Sequence, residues 1–277
     1  MMTGSAMIAK TLSLNSGFQA YRESGAGPTV VLLHGISSGA SSWEPLASLL
    51  PGYRLLAWDA PGYGESQPLA EGEPTAADYA ARLDAWLDAL EIERCVLIGH
   101  SLGAMMACAY MALCPERLVG VILADPAQGY RNADDAKRDA VYHSRWPLLV
   151  KQGPEAYAEA RAPRLLRDSA SEADVARVRD GIKRLNVSGF AQANWMLAND
   201  ALEGYVEREI PVPARVLCGD EDRITPPEDV QALATRLGLT YHSIPRAGHA
   251  SYIDAPAAFA AAIDDFAGRL FTKKEEQ

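Results

Sequence analysis

The stretch Cys95-Val96-Leu97-Ile98-Gly99-His100-Ser101-Leu102-Gly103-Ala104 joins an apolar run to the helix-like pattern Ala104 to Leu113, with a serine between two glycines at the junction. Strand, sharp turn and helix in that order present a serine hydroxyl at the apex, the arrangement of a nucleophile elbow. A serine in so tight a turn takes up a strained backbone conformation. Side chains two residues to either side would collide where strand and helix converge, and Gly99 and Gly103 carry none. The spacing G-x-S-x-G arises by chance often enough that its meaning depends on the rest of the chain.

Working outward, short apolar runs alternate with helical patterns. Lys10 to Leu14 and Phe18 to Arg22 read as a hairpin around Asn15-Ser16-Gly17, and Thr29 to Leu33 as a fully buried strand. Arg54 to Trp58, Cys95 to Ile98, Val119 to Ala124, Ala214 to Cys218 and Thr240 to Ile244 continue the series. Between them lie helical patterns at Trp43 to Leu50, Thr75 to Leu90, Ala104 to Leu113, Pro227 to Leu237 and Pro256 to Leu270. Thr75 and Asp78, three residues on, form an approximate capping box. This alternation predicts an α/β fold, a mostly parallel eight-stranded sheet flanked by helices, with reactive groups gathered at the carboxyl ends of the strands.

The rhythm breaks between Gln128 and Glu209. Arg131 to His143, Pro154 to Arg161 and Glu172 to Leu185 have amphipathic helical patterns, punctuated by Pro147, Pro154 and Pro163. Residues 128–209 are therefore expected to form a helical cap inserted after the sixth strand, between core segments 1–127 and 210–277. Its apolar and aromatic residues Trp146, Tyr157, Phe190, Trp195, Met196 and Leu197 are candidates to roof a pocket, Trp146, Phe190 and Trp195 foremost, while Arg131, Arg145, Arg161 and Arg164 read as a solvated face.

With 277 residues, 48% of them hydrophobic, the chain can bury one large core. Its formal charge of -10 argues against nucleic acid or an anionic membrane as partner and favours a small, uncharged substrate. Met1 to Lys10 lacks the basic and apolar regions of a secretory signal, and no run approaches the ~20 apolar residues of a membrane span. A cytoplasmic monomer or homodimer is expected. Cys95, Cys108, Cys114 and Cys218 sit in apolar segments without a C-x-x-C pair or a histidine at ligand spacing, so they read as reduced thiols, and no metal is expected. The charged end Thr272 to Gln277 reads as a frayed tail.

A serine hydroxyl needs a base within hydrogen-bond reach, and the base needs a partner that fixes its tautomer. Of five histidines, His249 follows the last apolar run through a loop and can reach the strand ends. His34 ends a buried strand, His100 adjoins the serine, His242 lies within a strand and His143 lies in the cap segment. Two aspartates end core strands, Asp222 and Asp125. Either could orient a histidine, and either could equally serve as a turn or capping residue. Asp222 precedes Thr225-Pro226-Pro227, a helix entrance that would anchor its loop, and is the expected acid. The remaining requirement is a pair of backbone N–H donors for a developing oxyanion. Leu102, after the serine, supplies one, and Ile36, after Gly35 in the loop of the third strand, is expected to supply the other.

Taken together, His34-Gly35, Asp59-Ala60-Pro61-Gly62-Tyr63-Gly64-Glu65-Ser66, Gly99-His100-Ser101-Leu102-Gly103, Gly219 to Pro226 and Gly248-His249 resemble the α/β-hydrolase superfamily in order and spacing. The resemblance implies Ser101 as nucleophile, Asp222 as acid, His249 as base, and Ile36 and Leu102 as oxyanion donors. It also implies no cofactor. Gly189 to Trp195, Asp200 and Ile210-Pro211-Val212-Pro213 resemble the enol-lactonase and carboxylesterase branch, and more loosely hydrolases of aromatic ring-cleavage products. The implied substrate is a small ester, lactone or diketone, attacked through an acyl-enzyme. A carbon-carbon bond hydrolase and a cofactor-free perhydrolase would share the same residues. Outside enzymes, a non-catalytic small-molecule receptor on the same fold is the competing expectation.

Overall fold

A computed structural model describes residues 6–206 and 210–272. Of the frayed tail expected at 272–277, Thr272 is the last residue of a helix and the rest lies outside the described residues. Eight strands form one sheet: β1 (Ile8–Leu14), β2 (Gly17–Ser24), β3 (Thr29–Leu33), β4 (Arg54–Trp58), β5 (Cys95–His100), β6 (Leu118–Ala124), β7 (Ala214–Gly219) and β8 (Thr240–Ile244). They lie in the order β1-β2-β4-β3-β5-β6-β7-β8. The β1–β2 hairpin pairs antiparallel to itself and to β4, and every other pairing is parallel. Every residue of β3, β5 and β6 is buried, as the middle strands of a sheet covered on both faces must be.

Among the described residues ten α-helices follow in chain order. In the core these are α1 (Glu44–Ala47), α2 (Ala76–Ala89) and α3 (Leu102–Leu113), then, after an interval, α8 (Pro227–Arg236), α9 (Ser251–Asp254) and α10 (Pro256–Thr272). The capping box at Thr75 and Asp78 is formed in both directions. Between β6 and β7 stand α4 (Asp135–Arg161), α5 (Glu172–Lys183), α6 (Val187–Asn199) and α7 (Glu203–Val206), with no strand among the described residues there. No helix among the described residues is long and apolar enough to cross a membrane.

Two details of this interval differ from expectation. α4 begins at Asp135, because the Asp134 carboxylate accepts from the Lys137 N–H at 2.8 Å, and its backbone winds on through Pro147. A proline removes one backbone donor, whereas Gly153, at φ 81° and ψ 168°, leaves the helical region altogether and is where the winding is interrupted. Pro154 then opens the second stretch, a position where proline costs no hydrogen bond. The second difference is α6, which the sequence patterns did not mark as a helix. Asn186 caps it by accepting from the Ser188 N–H at 2.9 Å. Gly189, a poor helix former, obscures the pattern and serves contact instead: a Cβ there would lie 2.0 Å from the Gly62 carbonyl oxygen. Gly62 itself sits at φ 81° in the turn after β4, so two glycines let α6 dock on that turn backbone to backbone.

Gly189→Ala is expected to destabilise the protein by about 1–3 kcal/mol through overpacking, lowering Tm by roughly 2–4 °C per kcal/mol. Gly181→Ala in α5, where a Cβ would meet nothing within 4 Å, should hold or raise Tm, since alanine is the better helix former. Thermal unfolding followed by circular dichroism separates the two. Equal shifts would contradict the close approach of Gly189 to Gly62.

Candidate active site

Ser101 stands between β5 and α3 at φ 52° and ψ -115°. Its N–H donates to the Ala124 carbonyl at 2.9 Å, and its carbonyl accepts from Ala104 and Ala127, so neighbouring β6 and the next loop pin the strained residue. The flanking glycines are sterically required. A Cβ on Gly99 would lie 2.3 Å from the Gly103 carbonyl oxygen, and one on Gly103 would lie 2.5 Å from that of Leu33.

The loop after β8 brings His249 to the serine. His249 Nε2 lies 2.9 Å from Ser101 Oγ, and His249 Nδ1 lies 2.8 Å from Asp222 Oδ2. With Nδ1–H donating to the carboxylate, Nε2 is left as an acceptor for the serine hydroxyl. All three residues are buried. Asp222 accepts from the Ile224 N–H at 2.7 Å, the Thr225 N–H at 3.1 Å and the Thr225 hydroxyl at 2.6 Å. Burial alone would raise this carboxyl, but the His249 ring and these donors prevail and hold it below the usual carboxylate range.

Asp125, the other strand-end acid, faces elsewhere. It accepts from the Gly219 N–H at 2.8 Å and the Ser251 hydroxyl at 2.5 Å, tying β6 to β7 and to the start of α9. Burial, with Asp222 nearby, holds its carboxyl well above the usual range. Asp125, Cys218 and Asp222 place donor atoms within 4.8 Å of one another. The donor set does not suit a metal: both carboxylates are already engaged, and burial pushes the Cys218 thiol far up.

The remaining histidines divide cleanly. His34 accepts the Ala60 N–H at Nε2, 3.0 Å, and donates from Nδ1 to the Gly35 carbonyl, 2.8 Å, which fixes the loop after β3. His143 and His242 are exposed. His100 donates from Nε2 to the His249 carbonyl at 2.7 Å and packs edge-on against Tyr252. That loop after β3 carries Ile36, whose carbonyl accepts from the Tyr63 hydroxyl at 2.8 Å. Among the described residues the N–H groups of Ile36 and Leu102 have no intramolecular acceptor. Both residues line the same cavity as Ser101 and His249, about 700 Å³ in volume, within the range of small-molecule sites.

The pocket wall contributed by the segment between β6 and β7 departs in part from expectation. Of the apolar candidates Leu197 lines the cavity, whereas Tyr157, Phe190, Trp195 and Met196 are not among its lining residues. Phe190 lies two helical turns before Leu197 and packs against Tyr157, and Trp195 points to the other side of α6, against Tyr142. The Trp146 side chain lies outside the described residues. Of the four arginines expected to be solvated, Arg131 and Arg164 are exposed, but Arg145 and Arg161 line the cavity with their Nε atoms buried. An amphipathic pattern marks which face turns from solvent, and it cannot tell packing from the wall of a cavity.

Sequence reasoning also passed over the groups that hold the site. Thr225 grips Asp222, a contact hinted at by its place three residues on in an aspartate turn. Asp254 accepts from the N–H groups of Gly248 and Arg167, both at 2.8 Å, and Ala250 donates to the Leu165 carbonyl at 2.7 Å. A Cβ on Gly248 would lie 2.5 Å from the Leu166 carbonyl carbon. The His249 loop is therefore clasped between the core and the chain that follows α4.

His100 is expected to stay neutral throughout. Burial, reinforced by the neighbouring His249, pushes it down to about 3, so an unfolded chain would bind a proton at this residue below about pH 6.5 while the fold would not. In an NMR titration the His100 ring signals should hold their position from about pH 7 to about pH 4, and acid should cost stability through this group. A His100 signal that moved in that window would contradict the burial described.

Residues 30–262 match the alpha/beta hydrolase family model. A Variovorax paradoxus protein provisionally named carbamate hydrolase RutD is 31% identical over 88% of this chain and 93% of its own length. The 2-succinyl-6-hydroxy-2,4-cyclohexadiene-1-carboxylate synthase of Serratia proteamaculans is 29% identical over 86% of this chain and 92% of its own. Among solved structures, the enol-lactonase from Burkholderia xenovorans superposes with a TM-score of 0.82 at 25% identity, covering 94% of this chain and 100% of that one. A thermophilic esterase from Thermogutta terrifontis superposes with a TM-score of 0.83 at 25% identity, covering 95% and 99%. The fold, the elbow and the matched length agree: the chain belongs to the α/β-hydrolase family.

Proposed function

We propose that the protein is a serine hydrolase that cleaves a carboxylic ester or enol-lactone of a small organic substrate through an acyl-enzyme. The observation that carries this reading is the unbroken relay from Asp222 to His249 to Ser101, with contacts of 2.8 and 2.9 Å, opening on a cavity of about 700 Å³. A non-catalytic receptor would gain nothing from keeping all three groups aligned. In this reading residues 128–209 are a cap that shapes the space above the reacting groups.

Ser101 Oγ attacks the substrate carbonyl as its proton passes to His249 Nε2, and Asp222 stabilises the imidazolium that forms. The carbonyl oxygen gains the negative charge and takes the N–H groups of Ile36 and Leu102, the first donor of α3, whose helix dipole favours an anion there. Collapse breaks the ester C–O bond, and the leaving oxygen collects the proton from His249. In a lactone that oxygen stays tethered to the acyl group. Water then repeats the sequence, giving its proton to His249 and releasing the acid with Ser101 restored. Every group used belongs to the chain, so the reaction needs no cofactor. A carbamate carbonyl could be attacked by the same steps, and a panel of esters, lactones, carbamates and vinylogous diketones distinguishes these substrates.

Ser101→Ala should lower kcat on the best ester by about a millionfold. Asp222→Asn should cost about ten thousandfold, because the amide no longer favours the tautomer that leaves His249 Nε2 free. Asp125→Asn should cost far less than Asp222→Asn, since Asp125 touches Gly219 and Ser251 rather than His249. Steady-state kinetics on the three variants decides the assignment, and the reverse ranking of the aspartates would move the acid to the end of β6.

A further inference from the structure

We propose that Arg161, with Arg145 beside it, seats a free carboxylate of the substrate, so that the ester or lactone opened at Ser101 carries a second, ionised carboxyl group. This rests on the reading of Ser101 as nucleophile and adds the substrate class. Arg145 and Arg161 both project from α4 onto the cavity that Ser101 and His249 also line.

Several other part-buried arginines among the described residues lie against a carboxylate, such as Arg22 with Glu44, Arg54 with Glu23, Arg117 with Asp88 and Arg215 with Asp265. Among the described residues Arg145 and Arg161 have none, and the Nε atoms of both are buried without an acceptor. Among the described residues the Arg145 guanidinium reaches only the Val141 carbonyl, at 3.4 Å, and the Arg161 side chain makes no hydrogen bond. A buried guanidinium without an anion is costly, and its planar fork of donors matches a carboxylate or another oxyanion in two parallel bonds.

Among the described residues no free carboxylate lies against Arg161. The groups that act on Arg161 are Tyr157, Arg145, Arg164 and Asp222. Asp222 is already committed to His249 and Thr225. Burial works against the charge of Arg161, the two neighbouring arginines add to that, and Tyr157 and Asp222 oppose them without prevailing. Arginine keeps its proton regardless, so the pocket holds two half-buried cations in want of a counter-charge. Lys137, Arg177 and Arg184 are exposed along the same cavity. Its acidic Glu44 and Asp180 lie against Arg22 and Lys183, which leaves Asp229 at the rim. The proposed seat runs against the uncharged substrate expected from the chain's formal charge of -10, since average surface charge does not set the sign inside a cleft.

The test has a catalytic and a binding arm. The monomethyl esters of succinate, glutarate and adipate are compared with methyl valerate, a neutral ester of similar reach. Wild type should favour at least one of the three by tenfold or more in kcat/KM. In Arg161→Met, which keeps the apolar stem, that preference ratio should fall by about tenfold to a hundredfold, the range for a charge-assisted contact, with Arg161→Lys between the two. In calorimetry the corresponding free dicarboxylate should bind wild type and lose about the same factor in Arg161→Met, while its diamide should not discriminate between them. Circular dichroism establishes that each variant is folded. A wild type with no preference, or an unchanged ratio in both folded variants, overturns the carboxylate seat while hydrolysis of methyl valerate still supports the nucleophile. Binding of a dicarboxylate that depends on Arg161, in a protein that hydrolyses none of these esters, supports the seat and counts against the serine hydrolase reading.

Discussion

The backbone of Ser101 is held at φ 52°, ψ -115°, a conformation that L residues avoid and that costs of the order of 1–3 kcal/mol. Much of the fold around it consists of what makes that conformation sustainable. The Ser101 N–H is spent on β6 and its carbonyl on the turns that follow, so the strained peptide groups are satisfied. Gly99 and Gly103 let β5, β3 and the start of α3 close to backbone contact, which no side chain would allow. Gly35 extends the same economy to the loop after β3: a Cβ there would lie 3.0 Å from Ser101 Cβ. As a result Ser101, Ile36 and Leu102 line one cavity, with the three middle strands, buried end to end, as their support.

The second half of the site depends on the segment between β6 and β7 more than a simple roof would. The loop that carries His249 is short of regular structure, and it borrows order from both sides. From the core, His100 donates to the His249 carbonyl and Asp254 accepts from Gly248. From the chain after α4, Leu165 accepts from Ala250, and Arg167 shares Asp254 with Gly248. The same stretch of chain supplies Arg161 a few residues earlier. Arg161 and the His249 loop are thus linked through the short stretch 161–167, so under the proposed roles an anion that orders the end of α4 would also act on the placement of the imidazole.

All eight strands were legible in the sequence, because parallel strands buried on both faces read as short apolar runs bounded by turn residues, and β3, β5 and β6 are of this kind. Their order was not legible from periodicity, since the swap that places β4 outside β3 is decided by pairing across the sheet. Ser101, Asp222 and His249 were legible for a local reason, each ending or following a strand in a short, distinctive loop. The contacts that steady them were harder to read. Thr225 and Asp254 look like ordinary turn and helix residues until the loops meet. The segment between β6 and β7 was read least well. Gly189 hid α6 by weakening its pattern, while Pro147 drew the eye from Gly153, where α4 is interrupted. Arg145 and Arg161 looked solvated because helical periodicity records a polar face without showing that it closes over a cleft.

The account turns on Ser101 being an activated nucleophile, and the direct measurement is covalent labelling with a small fluorophosphonate followed by peptide mass spectrometry. The phosphorus reagent forms a bond only to an oxygen whose proton has a base to receive it. The account predicts one adduct, on the peptide that carries Ser101, formed at neutral pH and absent in a folded His249→Ala variant. No adduct on a folded wild type, or an adduct on another residue that persists without His249, would contradict it.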